Sequence, residues 1–273
     1  MNSCLIVLVL YKQKLQETAS YQSLMAAWPS SNCMKLLVYD NSPAAQLMDQ
    51  TLDGPLLQYI HDPSNPGVGK AYNVAANVAR EEGYRWLMLM DQDSTFPVNI
   101  FDAYAASIQA FPHVLIFGPR LFDHRGLLSP FGRGKTSGRR LGKISPGLHS
   151  LTDVAVINSG LLIDVGAFHQ SCGYDERLPL DFSDIHFLSR FSKISTDLVV
   201  VDIAGQQVHS DQPDTGYQDA LHRFGYYLQA ARVMANLEHA SSSYRLRTLA
   251  RAIKLSWRCR SFRFLHTALT ASF

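Results

Sequence analysis

Two aspartates one residue apart, Asp91 and Asp93, follow directly on the apolar run Leu87-Met88-Leu89-Met90. Carboxylate oxygens suit a hard divalent cation, and Mg2+ or Mn2+ held by one or two of them shares its remaining positions with phosphate oxygens and water. The segment Asp91-Gln92-Asp93-Ser94 therefore reads as a metal–diphosphate site, with a solvated acidic turn as the alternative. The residues before it favour the site. A short, unbroken apolar run is a strand covered on both faces, and ligands of open α/β sheets bind beyond the carboxyl ends of the strands.

Two further strand ends carry polar groups. Cys4–Leu10 is a buried strand ending at Tyr11, and Lys35–Tyr39 is a second, ending at Asp40-Asn41-Ser42-Pro43. A third strand is expected over Leu56–Ile60, and Arg85–Met90 is the fourth. Helical spacing joins them over Leu15–Trp28 and again after Pro63-Ser64-Asn65-Pro66-Gly67, where Ala71, Val74, Ala75, Val78 and Ala79 form one face and Gly83 closes the helix. Such strand–helix repeats imply a mostly parallel, twisted sheet with helices on both faces. Its strand ends would then lie along one edge as a nucleotide cleft. On the second helix Lys70 and Asn73 fall three apart, opposite the apolar face, while Gly67 and Gly69 permit close backbone approach. They read either as nucleotide or sugar contacts or as ordinary solvent-facing residues.

No strand is followed by Gly-x-Gly-x-x-Gly, and there is no Gly-Lys-Ser/Thr loop, which disfavours a hydride-transfer enzyme or a P-loop phosphotransferase. The 273 residues, 47% hydrophobic and 18% charged, describe a globular chain. No window is apolar for long enough to span a bilayer. Cys4–Leu10 lacks the basic flank and cleavage site of a signal peptide. Four scattered cysteines, without metal spacing, suit a reducing, cytoplasmic setting.

The segment Arg125–Gly147, rich in glycine and in Arg125, Arg133, Lys135, Arg139, Arg140 and Lys143, is expected to be a mobile basic loop. Further strands are expected at Asp153–Ile157, Leu161–Ile163 and Leu198–Val201, a helix from the Asp181-Phe182-Ser183-Asp184 segment through Arg190, and a long amphipathic helix over Asp214–Leu237. From Tyr244 onward the chain holds seven of its 25 basic residues and none of its 23 acidic ones, interleaved with Leu246, Leu249, Ala250, Ile253, Leu255, Trp257, Phe262, Phe264 and Leu265. Such a stretch reads as helices on an anionic membrane surface, or as a helix packed on the core with an arginine-rich solvent face. Nucleic acid is not expected, because no recognition motif accompanies the charge and the rest of the chain is acidic.

These pieces together resemble a family 2 glycosyltransferase of the GT-A fold, nearest to rhamnosyltransferases of bacterial cell-surface polysaccharide assembly. The resemblance rests on the first strand, Asp40-Asn41-Ser42, Asn65-Pro66-Gly67-Val68-Gly69-Lys70-Ala71-Tyr72-Asn73, Asp91-Gln92-Asp93-Ser94, Asn158-Ser159-Gly160, Gly173-Tyr174-Asp175-Glu176 and the Asp181/Asp184 segment. It implies a mixed α/β sheet flanked by helices and inverting transfer of a sugar from a nucleotide diphosphate to a hydroxyl. Asp91 and Asp93 would hold Mg2+ or Mn2+, with His209 completing the metal or diphosphate site. Tyr11, Asp40, Asn41, Gly67, Lys70, Asn73, Asp91 and Gln92 would line the donor site. Asp184, or Asp181 in its place, would be the base, although an aspartate there also serves as a helix cap. Arg190 would serve an acceptor phosphate or pair with an acidic neighbour.

The expected organisation is a glycosyltransferase domain over 1–210, with a nucleotide half 1–95 and an acceptor half 96–210, followed by a basic helical extension over 211–273. The expected donor is dTDP-rhamnose, with UDP-galactose, UDP-galactofuranose or UDP-N-acetylglucosamine as alternatives. The expected acceptor is a lipid-linked saccharide at the inner face of the cell membrane. A sugar-phosphate nucleotidyltransferase is a second class, weakened because Tyr11-Lys12-Gln13-Lys14-Leu15 has no glycine to cradle a triphosphate. A non-catalytic membrane scaffold is a third, and the retained carboxylates argue against it.

Overall fold

The computed structural model describes residues 3–29, 33–46, 56–133, 138–207 and 216–273. In chain order they form β1 (Cys4–Leu10), α1 (Ala19–Ala27), β2 (Met34–Asp40), β3 (Leu56–His61), α2 (Val68–Glu81), β4 (Trp86–Asp91), β5 (Ser94–Thr95), α3 (Ile100–Ala110), β6 (Ile116–Asp123), β7 (Gly126–Ser129), β8 (Phe131–Arg133), β9 (Gly138–Arg140), β10 (Gly147–Ser150), β11 (Val154–Ala155), β12 (Leu161–Asp164), α4 (Val165–Gln170), α5 (Ser183–Phe191), β13 (Asp197–Gln207), α6 (Tyr217–Leu237), α7 (Ser241–Arg258) and α8 (Arg263–Leu269). They group into two compact units: Met1–Tyr174 with Asp184–His209, and Asp175–Ser183 with Ser210–Phe273.

The first unit is built on a sheet of order β10-β13-β6-β12-β4-β1-β2-β3. Strands β3, β2, β1 and β4 run parallel. Their alternating side chains supply two cores. Leu5, Val7, Val9, Leu87 and Leu89 face α2, α4 and α5, while Cys4, Ile6, Leu8, Leu10, Met88 and Met90 face α1 and α3. Burial on both faces is why these strands read as unbroken apolar runs.

Beyond β4 the sheet is mixed rather than mostly parallel, because β12 runs antiparallel to β4 and β6, and β10 antiparallel to β13. The helix expected over Leu15–Trp28 is divided. A 3-10 turn covers Leu15–Glu17, then Thr18 takes an extended conformation and its hydroxyl caps α1 by accepting from Tyr21 N–H at 3.2 Å. The basic segment expected to be a mobile loop is largely ordered. It contributes β7, which pairs with β6, and β8, which pairs with β9 on one side and with β11 on the other. Arg140 there is anchored in a two-pronged ion pair with buried Asp123, so its charge braces a hairpin. Lys135 lies outside the described residues. The strand read as Leu198–Val201 continues to Gln207, carried by its pairing with β6 and β5.

The second unit is helical. Helices α6, α7 and α8 close around Phe224, Tyr227, Ala231, Met234, Tyr244, Ala252 and Phe264. The sequence reading gave Asp175–Ser183 to the preceding domain, but this segment groups with the helices. Leu178 is buried among them, and the Phe182 ring lies 5.3 Å from Tyr227 and 5.7 Å from Tyr244. No helix among the described residues is long and apolar enough to cross a membrane.

Candidate active site

Register aligns the three polar strand ends. Val9 of β1 is paired with Asp91 of β4 and Leu10 with Asp40 of β2. Since β1 lies between β2 and β4, the strand order reverses direction here, which is where open α/β sheets form a ligand crevice.

A buried serine network shapes the turn carrying the two aspartates. Ser20 at the start of α1 sets its hydroxyl between the carbonyls of Asp91 and Ser94 and accepts from Ser94 N–H at 3.0 Å. Ser159 donates to Ser94 Oγ at 2.7 Å and accepts from Asp91 N–H at 3.3 Å. Fully buried hydroxyls with partners on both sides hold a backbone firmly, so the carboxylates project from a fixed turn. Neither Ser20 nor Ser159 was singled out from sequence, though Ser159 lies in a segment that carried the resemblance.

Asp91 Oδ1 accepts the Tyr72 hydroxyl at 2.8 Å, and Asp93 Oδ1 accepts Gln207 Nε2 at 3.3 Å. Burial raises the pKa of Asp91, partly offset by the Tyr72 bond. Burial first, and then the charge of Asp91, push Asp93 up to about 7. Among the described residues no ion pair meets these two carboxylates, which burial holds back from ionising, and a divalent cation would supply the missing positive charge. Their hard oxygens fit Mg2+ or Mn2+. Among the described residues no third His, Cys, Asp or Glu joins them, and His209 lies outside the described residues. A cation held by these two carboxylates alone would keep positions open for other oxygen ligands.

Tyr72 extends this centre toward Asp184. Its ring lies 5.1 Å from that of Tyr174, which stacks on Phe187 of α5 at 4.4 Å and donates to Asn158 Oδ1 at 2.7 Å. Both phenols are held far above the usual range. For each, burial is the main cause. The charge of Asp91 comes next for Tyr72, and for Tyr174 the charge of Asp184 and then Asp91. The two carboxylates thus bear on one pair of buried tyrosines. Asp184 is half-buried in the first turn of α5 and accepts Ile185 N–H at 2.8 Å. The sequence signal for Tyr72 was its place on the buried face of α2 with Ala75, Ala76 and Ala79. Only small neighbours let a helix approach a sheet closely enough for one tyrosine to reach a strand end.

Several residues expected at the ligand site hold the backbone here. Asn73 donates to the Tyr174 carbonyl at 3.0 Å and accepts from its N–H at 2.8 Å. It is therefore not simply a solvent-facing residue. Gly173, at φ +60°, leaves room for this clamp, since a Cβ there would meet Asn73 Oδ1 at 2.5 Å. Arg190 donates to the Gly173 carbonyl, which is neither of the two partners expected for it. Gln92 takes both polar groups of Tyr11, accepting from its N–H at 2.7 Å and donating to its carbonyl at 3.2 Å. Asp181 belongs to the helical unit, where its carboxylate lies 3.3 Å from Arg251 and 4.0 Å from Arg223.

A cavity of about 280 Å³ is lined by Lys12, Gln13, Lys14, Ser42, Pro43 and Gln46. Asp40 beneath it is fully buried, accepting from Tyr59 Oη at 2.7 Å and Ser42 N–H at 2.9 Å, so it shapes the turn. Asn41, also buried, donates to the Gly67 carbonyl at 3.4 Å, and its own Oδ1 has no hydrogen-bond partner among the described residues. Tyr11 is 40% exposed beside Lys12. Gly67 caps α2 at φ +97°, and Lys70 follows in the first turn.

The fold is the GT-A fold of nucleotide-sugar glycosyltransferases, a central mixed sheet flanked by helices. GalNAc-T7, solved with UDP, GalNAc and Mn2+, aligns with a TM-score of 0.64 at 14% identity, covering 97% of this chain and 56% of that one. S. aureus TarS aligns at 0.53 and 14% identity, over 89% of this chain and 41% of its own. Residues 1–349 of TarS in complex with UDP-GlcNAc align at 0.52 and 13% identity, over 89% and 69%. The chain thus spans about half the length of the first two. No protein-family model matches the sequence, and no curated protein matches it.

Proposed function

We propose that the chain is a metal-dependent, inverting glycosyltransferase that moves a sugar from a nucleotide diphosphate to a hydroxyl of a lipid-linked saccharide at the inner face of the cell membrane. The observation that carries this reading is the carboxylate pair Asp91 and Asp93, fixed at the sheet's switch point and short of positive charge. A bound Mg2+ or Mn2+ supplies the charge that stabilises the departing diphosphate. Asp91 and Asp93 would hold that cation, and the Ser20–Ser94–Ser159 network keeps their turn in place. Tyr11 meets the nucleoside through its exposed ring, and Asn41 supports that end of the site through its bond to the Gly67 carbonyl.

Asp184 is the base. It accepts the acceptor hydroxyl's proton as that oxygen bonds to the anomeric carbon and the bond to the diphosphate breaks. Its charge bears on the same tyrosines as Asp91, which supports this choice. Asp181 is engaged by two arginines instead.

For the donor, dTDP-rhamnose follows from the Asp-Gln-Asp-Ser segment and its resemblance. A UDP-sugar is the second reading, favoured by the UDP and UDP-GlcNAc held by the solved neighbours. Thermal-shift screening of dTDP, UDP and GDP, with and without Mn2+, separates the two. Transfer from the matching nucleotide sugar, abolished by chelation, is the expected activity. Pyrophosphate release from a sugar phosphate and a nucleoside triphosphate would instead identify a nucleotidyltransferase.

A further inference from the structure

Helix α7 is apolar on two opposite sides. One side, with Tyr244, Thr248 and Ala252 buried and Leu255 packed beside them, faces the core of the helical unit. On the other, Leu246, Ala250, Ile253 and Trp257 fall within an arc of about 60° over about three turns. All four are exposed, Leu246 by 70%, Ile253 by 59% and Trp257 by 88%. Phe262, just past the helix, is 82% exposed. Single exposed apolar residues need no explanation, but a row ending in two aromatics marks an interaction surface.

The surrounding charge identifies the partner. Arg245 flanks the row on one side and Lys254 and Arg258 on the other, with Arg260 and Arg263 in the turn that follows, all exposed. No acidic residue occurs from Tyr244 to Phe273. A second copy docking through the same face would bring these like charges together, which disfavours a symmetric dimer. A bilayer with anionic headgroups matches both components. Its interface takes aromatic and aliphatic side chains, while its negative charge attracts the basic flanks. Among the described residues no helix can cross the bilayer, so the geometry is that of a helix lying on the surface.

We infer that α7 docks the chain on an anionic lipid surface through Leu246, Ile253 and Trp257, with exposed Phe262 in the turn that follows and the basic flanks contacting headgroups. This deepens the membrane-facing part of the proposed function, and it is measured without donor or acceptor, so its failure is distinct from failure of sugar transfer. The test is co-sedimentation of the full chain with vesicles of phosphatidylcholine alone or mixed with phosphatidylglycerol. Binding is expected to the mixed vesicles only and to weaken with salt. The double variant Trp257→Ser/Phe262→Ser should lower partitioning at least about tenfold, and Lys254→Glu/Arg258→Glu should also reduce it. Brominated lipid should quench tryptophan fluorescence in the wild type and not in Trp257→Ser. Equal binding to both vesicle types, retention by the double variant, or an oligomer in solution that Trp257→Ser dissociates without any vesicle binding would each overturn the inference.

Discussion

Tyr72 Oη donates to Asp91 Oδ1 at 2.8 Å, tying the buried face of α2 to the carboxylate at the end of β4. The bond favours the ionised aspartate against the cost of burial. Tyr72→Phe should therefore weaken Mn2+ binding about ten- to a hundredfold, the range expected for one hydrogen bond to a charged group, with the fold retained. Mn2+ titration of both proteins at pH 7 checks this. Unchanged affinity would mean that the bond only stabilises the fold.

Asp93 makes a pH-dependent prediction. Its pKa near 7 lies above the ordinary carboxylate value, so the folded chain binds this proton more tightly than the unfolded chain. The associated stability is complete below about pH 4 and is lost as pH rises through about 7. In chelator at pH 8, Asp93→Asn should thus be more stable than the wild type by roughly 1–3 kcal/mol, allowing for partial solvent screening. The gain should disappear toward pH 4. Thermal unfolding across that range reads it, and the variant should show no stabilisation by Mn2+.

The two late aspartates should separate by phenotype. Asp184→Asn is expected to lower the transfer rate by about 10²–10⁴-fold while leaving nucleotide affinity intact, as for loss of a general base. Asp181→Asn strips Arg251 and Arg223 of their carboxylate, and should cost about 1–2 kcal/mol of stability with little change in rate. Single-turnover rates beside melting curves distinguish the two, and reversed phenotypes would move the base to Asp181.

Much of this was legible in sequence where burial leaves a pattern. Unbroken apolar runs marked β1, β2 and β4, and their polar ends Tyr11, Asp40 and Asp91 fell at one edge as expected. What stayed hidden depends on partners distant along the chain. Nothing near Arg140 announces Asp123, so a basic glycine-rich stretch read as a loop where it forms hairpins. Asn73 and Tyr174 are 101 residues apart, and a side chain that clamps a backbone looks the same in sequence as one that awaits a ligand. The grouping of Asp175–Ser183 with the helical unit is hidden for the same reason, because Leu178 and Phe182 pack against helices that begin about forty residues later.

That clamp gives a fourth prediction. Gly173→Ala forces a Cβ against Asn73 Oδ1 at a positive φ, and Asn73→Ala removes both bonds to Tyr174. Each should cost about 1–3 kcal/mol. Each should also lower the transfer rate more than donor affinity, because Tyr174 bears on the Asp184 side of the site. Melting temperature with a kcat-against-KM comparison tests this, and an unaltered rate in a destabilised variant would confine the clamp to folding.

Calorimetric titration of a nucleoside diphosphate with and without Mn2+, in the wild type and in Asp93→Asn, reaches the central claim most directly. Cooperative binding is expected in the wild type, with Mn2+ tightening the nucleotide by about tenfold or more, and this coupling should vanish in the variant. Nucleotide affinity indifferent to Mn2+, or equal coupling in both proteins, would contradict a shared cation at Asp91 and Asp93.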